Sequence, residues 1–104
     1  MHDFTLTTTS TAGSVVMAPH GELDYDTLSD IEDALTRLPV SAGPVVLDMT
    51  GVSFMDLAGL RLAYLLANEE PVAGRIVMAR GWRPQPEKLM RLVDLPRPCG
   101  RCAL

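Results

Sequence analysis

The sequence predicts a single α/β domain built on a mixed, parallel-rich sheet of about four strands, with an antiparallel pair at the N-terminus and helices packed on the sheet. Three observations carry this expectation. Two β-prone stretches open the chain around a turn of hairpin length, and short apolar strand patterns then alternate with helical ones. The third is size: 104 residues, 47% of them hydrophobic, suit one core in which folding buries about two-thirds of the unfolded surface. The order reads β-β-α-β-α-β-α over one domain, 1–104, with its core over residues 4–95 and an irregular tail rich in Pro, Cys and Arg over 96–104.

Each element has a local reason. "FTLTTT" from Phe4 and "SVVMAPHG" from Ser14 are β-prone, and Ala12-Gly13 between them makes them antiparallel neighbours. After "GELD", Asp24 or Asp26 caps a helix whose apolar residues Leu28, Ile31, Leu35 and Leu38 recur at helical spacing until Pro39 ends it. "PVVLDM" from Pro44 is a continuous apolar run, the pattern of a central strand covered by helices. The next helix, from about Leu57 to Asn68, is apolar nearly all round and is expected to be mostly buried, with Pro71 beyond it as a stop. "RIVMAR" from Arg75 is a further strand, and after the breaker-rich "GWRPQP" a short helix holds Leu89, Met90, Leu92 and Val93.

Charge is modest overall, −4, but unevenly placed. Residues 1–74 hold 11 acidic and 2 basic side chains, a net −9, while residues 75–104 hold 2 acidic and 7 basic, a net +5. Such a split reads either as internal balance on a solvated surface or as two faces for partners of opposite sign. The basic third has neither interleaved aromatics nor a nucleic-acid-binding motif, so no nucleic acid is expected as a partner. The longest apolar run is the six residues "LAYLLA", far short of the roughly 20 of a membrane span, and the N-terminus lacks a signal-peptide pattern. A soluble cytoplasmic protein without membrane insertion is the expectation.

Candidate chemistry is sparse. Cys99 and Cys102 form a CxxC near the C-terminus, but neither a redox context nor a full zinc ligand set accompanies it, so it reads as an inert tail, with zinc bridging two chains as the main functional alternative. Asp24, Asp48 and Asp56 can gather at one end of the sheet and hold a divalent cation, although capping and turn bonding explain each separately. His20 stands alone, and neither a nucleophile elbow nor a phosphate loop is present. No cofactor and no enzymatic activity are expected. Trp82 reads equally as a partner anchor and as a cover for the core edge.

The combination of "GELD" (Gly21 to Asp24) with "VVLDMTGVSFMDLAGL" (Val45 to Leu60) resembles the STAS domain of bacterial anti-sigma factor antagonists. In that family a GELD-like turn precedes the first helix, and a V-L-D-L-S/T-x-V strand leads into F-x-D-S-S/A-G-L at the start of the second. The resemblance spans nearly the whole domain, and it implies a protein-binding switch. Its members bind a partner, typically an anti-sigma factor that is also a serine kinase, and are released when the first Ser or Thr after the loop Asp is phosphorylated. A phosphate there adds about 1.5 to 2 negative charges beside helix N-terminal N–H groups.

Here the residue after Asp56 is Leu57, which has no oxygen to phosphorylate, so the usual switch is expected to be lost. What the resemblance implies is a partner-binding surface of Gly21, Glu22, Asp24, Met55, Asp56, Leu57, Ala58, Gly59 and Arg61, facing an anti-sigma factor or related serine kinase. Leu57 either joins the core or forms an exposed apolar contact, and Thr50 and Ser53 are the hydroxyls that can substitute as phosphosites. Rival expectations are a STAS module that scaffolds a larger assembly or serves a lipid transporter as a subunit, and a small-ligand or metal sensor. Monomer and homodimer both stay open.

Overall fold

In the computed structural model, which describes residues 4–11, 13–39, 42–68 and 70–92, the chain forms nine elements. They are β1 (Thr5–Thr11), β2 (Ser14–Leu23), α1 (Tyr25–Arg37), β3 (Val45–Asp48), a 3-10 turn (Met49–Gly51), β4 (Val52–Met55), α2 (Leu57–Ala67), β5 (Val77–Arg80) and α3 (Pro84–Leu92). The α/β class and the antiparallel opening pair match the expectation, and the sheet holds five strands among the described residues where about four were expected.

β2 organises the sheet. Along one edge it pairs antiparallel with β1, from Thr5 opposite His20 to Thr11 opposite Ser14. Along the other it runs parallel first to β3, Met17 beside Leu47, and then to β4, Leu23 beside Met55. The change of partner coincides with a register shift between Gly21 and Glu22, and Gly21 takes φ +116°, a bulge conformation that a side chain would strain. β5 lies parallel to β3, completing the order β1-β2-β3-β5 with β4 alongside the far end of β2.

Several expectations change. "GELD" is not a turn: Gly21 to Leu23 belong to β2, and Asp24 alone leaves it. β4 was not foreseen, because in "VSFM" two exposed residues separate the buried Val52 and Met55, which is neither a period of two nor an apolar run. Arg75 is not in a strand; its backbone pairs with Val72, and its guanidinium donates to the carbonyls of Leu35 (2.8 Å) and Leu38 at the C-terminus of α1, the first of which also accepts from the Leu38 N–H (3.3 Å). α3 begins inside "GWRPQP", at Pro84, since a first helical turn needs no N–H from proline. Val93, His2, Cys99 and Cys102 lie outside the described residues.

The core follows from alternation along the strands. Val15, Met17, Val45, Leu47, Val77 and Ala79 are buried and join Ile31 and Leu35 of α1 with Leu62 and Leu66 of α2, each of these side chains larger than alanine contributing about 1.5–3 kcal/mol by leaving water. The opposite sheet face is more open: Met78 is 41% exposed, Val46 is half-buried, and Thr5, Thr7 and Thr9 are exposed. "PVVLDM" is therefore covered on one face, not on both.

The free edge of β4 is closed by a side chain. Gln85 of α3 accepts from the Met55 N–H through Oε1 (3.0 Å) and donates through Nε2 to the Met55 carbonyl (3.3 Å), so its amide bonds to both backbone groups as a neighbouring strand would. Replacing Gln85 by Ala strands both groups of the buried Met55, and an unmet buried polar group costs about 1–3 kcal/mol. Urea denaturation is expected to show a loss of that size for Gln85→Ala.

Candidate functional site

The two halves of the sequence motif meet because β2 and β4 are neighbours. Where each strand ends, an extended aspartate caps the helix that follows. Asp24 accepts from the Thr27 N–H (3.0 Å), and the Thr27 hydroxyl accepts from the Asp24 N–H (2.7 Å), closing a capping box in which Thr27 is buried. Asp56 accepts from the N–H groups of Ala58 (2.9 Å) and Gly59 (3.4 Å). Each carboxylate sits at the positive end of its helix, where it stabilises that end by charge as well as by hydrogen bonding.

Contact between α2 and the strand ends requires glycine. A Cβ on Gly59 would lie 2.6 Å from Met55 Cβ and 3.0 Å from the Leu23 carbonyl oxygen. That oxygen also accepts from the Asp56 N–H (3.3 Å), so the helix start is held against the end of β2 by backbone on both sides.

Of the residues that the sequence points to, the structure brings Gly21, Glu22, Asp24, Asp56, Leu57, Ala58 and Arg61 toward one end of the sheet and the outer face of α2. Met55 is fully buried and Gly59 is buried, so neither presents a side chain to a partner; both position the others. Leu57 turns outward, with 78% of its surface exposed. α2 is buried or half-buried over most of its length, as expected, but not all round: Leu62, Ala63 and Leu66 face the core, whereas Leu57, Arg61 and Tyr64 are exposed, because sheet and neighbouring helices leave one side of it open.

Tyr25, the first residue of α1, is likewise 78% exposed. Between the two helices runs a groove of about 480 Å³, lined by Tyr25, Leu28, Ser29 and Glu32 on one wall and by Leu57, Ala58, Arg61, Leu62 and Leu65 on the other. The residues of the α1 wall were missed. One signal for Tyr25 was present: it follows its cap as Leu57 follows Asp56, and it stands off the Leu28-Ile31-Leu35 stripe.

The remaining candidates have structural employment. Asp48 Oδ1 accepts from the Thr50 hydroxyl (2.8 Å) and N–H (3.1 Å), and Arg80 lies 4.0 Å from Oδ2. Ser53 donates to the Gly21 carbonyl (3.4 Å). Among the described residues no three of His, Cys, Asp and Glu come within reach of one metal ion; the three aspartates each cap a different helical element. Trp82 is half-buried against the core, with Nε1 buried and unpartnered among the described residues.

Burial of Asp48 works against its charge, but Thr50, Arg80 and His20 outweigh this and hold the carboxyl below its ordinary value of 3.8. The stabilisation this brings is complete above that value and is lost as pH falls through the lower folded one. Thermal melts between pH 7 and pH 2 are expected to show a shallower acid loss for Asp48→Asn than for the wild type. For Gly59→Ala, overpacking against Met55 and Leu23 is expected to remove about 1–3 kcal/mol in urea denaturation at neutral pH.

A family model described as "Mlab, STAS domain" matches residues 6–97. Among curated proteins none matches the chain. Among solved structures, the anti-sigma factor antagonist SpoIIAA in its unphosphorylated form is similar at 19% identity, over 90% of this chain and 99% of that one, with a TM-score of 0.44. No helix among the described residues is long and apolar enough to cross a membrane.

Proposed function

This chain belongs to the STAS domain family, and on that premise we propose that it acts by binding another protein, an anti-sigma factor or a related serine kinase, in a contact that phosphorylation at residue 57 cannot reverse. One observation carries the reading. At the start of α2, where the resemblance implies a phosphoacceptor, a leucine stands 78% exposed beside a carboxylate that already accepts from the helix's N–H groups. An apolar side chain in that position gains by being covered, and a second one, Tyr25, is equally exposed on the adjoining helix.

Within this reading Leu57 is the apolar contact, and Asp56 and Ala58 present the helix start. Arg61 supplies a cation one turn further on. Asp24 and Gly21 set the position of α1 relative to that surface, and Glu22 lies on the same end of β2. Thr50 and Ser53 act as turn and strand hydroxyls with hydrogen bonds of their own, so the role given to them here is structural.

The same residue favours a second reading. A STAS module that holds a larger assembly together, or that serves a transporter as a subunit, needs no phosphoacceptor, and Leu57 fits a contact that is never switched off. The mass of what co-purifies from the native cell separates the two: a small kinase-sized partner supports the antagonist, and a transporter ATPase or a large particle supports the scaffold.

Two measurements test the docking surface. Incubation with the co-purifying kinase and ATP is expected to leave the intact mass of the wild type unchanged, while Leu57→Ser gains about 80 Da, one phosphate group. Capture of the partner is expected to fall at least about tenfold for Leu57→Asp, the loss typical of a buried interface anchor. Stoichiometric phosphorylation of the wild type, or capture indifferent to Leu57→Asp, defeats the reading.

A further inference from the structure

We propose that the groove between α1 and α2 receives an amphipathic helix of the partner protein, with its apolar stripe between Tyr25 and Leu57, a Lys/Arg edge over Glu32 and an acidic edge over Arg61. The inference rests on the reading of this site as a docking surface, and it names what the partner brings there.

Shape favours a helix. The groove is bounded by two helices and lined by side chains, so an extended strand would find no exposed sheet edge to pair with, whereas a helix satisfies its own backbone. From Leu57 to Leu65 the α2 wall covers eight residue steps, roughly 12 Å at 1.5 Å per residue. About two turns of a third helix fit along it. Leu28, Leu62 and Leu65 give that helix an apolar floor, and Tyr25 and Leu57 stand at the mouth as the exposed apolar rim.

Charge sets which way round the occupant lies. Glu32 on one wall and Arg61 on the other have no ion-pair partner among the described residues. Behind Glu32 the solvent side of α1 adds exposed Asp26, Asp30 and Asp33 against Arg37 alone, while exposed α2 positions are Leu57, Arg61 and Tyr64. The α1 wall thus carries one carboxylate with a net acidic helix face behind it, and the α2 wall carries one cation. A helix with a basic edge and an acidic edge is attracted in one orientation and repelled in the reverse one, which selects its direction as well as its place.

Synthetic amphipathic peptides of about 18 residues, long enough to hold helix in isolation, test this directly. All share one leucine stripe; the first has a lysine edge and a glutamate edge, the second two lysine edges, the third two glutamate edges. Titrated into isotope-labelled protein, the mixed-edge peptide is expected to shift the backbone amide signals of Tyr25, Leu28, Leu57, Ala58 and Leu65. It is expected to bind at least about tenfold more tightly than the all-glutamate peptide, and to lose at least about tenfold on Leu57→Asp. Glu32→Lys is expected to weaken the mixed-edge peptide and to strengthen the all-glutamate one. Both substituted positions are exposed, and an unchanged melting temperature checks that each variant is folded; Met78→Asp, on the open sheet face, is expected to change nothing.

Shifts confined to another surface, equal affinity for the all-glutamate peptide, or no shift with any peptide overturns the inference. A null result beside partner capture that still depends on Leu57 removes the helix and leaves the docking surface standing. Capture independent of Leu57 removes the docking surface itself.

Discussion

The parallel pairing of Leu23 with Met55, closed over by Gly59, is the contact on which the rest of the structure depends. It joins the end of β2 to a strand of four residues, and each strand then releases its chain through an aspartate into a helix. Because both crossings occur at the same end of the sheet, the starts of α1 and α2 come to lie beside each other. Backbone and Cβ atoms at 2.6 to 3.0 Å from the position a Gly59 Cβ would take leave the helix no freedom to stand further into the strand ends. Gln85 completes the arrangement from the outside, bonding the other edge of Met55.

Position in turn determines chemistry. A helix start usually offers free N–H groups to an anion, but Asp56 already accepts from Ala58 and Gly59, and the next residue offers hydrocarbon in place of a hydroxyl. What the site presents is thus apolar surface ringed by fixed charges, Glu32 and the α1 carboxylates to one side and Arg61 to the other. Such a surface discriminates partners by shape and by charge layout. Capping bonds hold both helix starts in place, and a preformed surface loses little entropy when it is covered.

Much of this was legible along the chain. Asp56 announced its cap, Asp24 or Asp26 that of α1, the 3.6-residue stripe of Leu28, Ile31 and Leu35 marked the buried side of α1, and Ala12-Gly13 marked the hairpin. Elements that depend on a distant neighbour were not legible. β4 exists because β2 is long enough to take a second partner after the Gly21 bulge, and the first three residues of "GELD" are strand for the same reason. Arg75 serves the carbonyls of Leu35 and Leu38, residues 40 and 37 positions away, a partnership with no local signature. The α1 wall of the groove was missed likewise, since nothing in the spacing of Ser29 and Glu32 says which helix will stand opposite.

By itself the sequence determined the class of fold, the family resemblance and the absence of a hydroxyl at residue 57, because strand and helix periodicity, capping residues and side-chain chemistry are local properties. Only the tertiary structure decided that Leu57 faces outward and that Tyr25 stands with it across a groove. An apolar residue at the first position of an apolar helix has no local preference between core and solvent. The choice was made by what lies above and below it, with Gly59, Leu62 and Ala63 turned against the core and the face bearing Leu57 and Arg61 left uncovered.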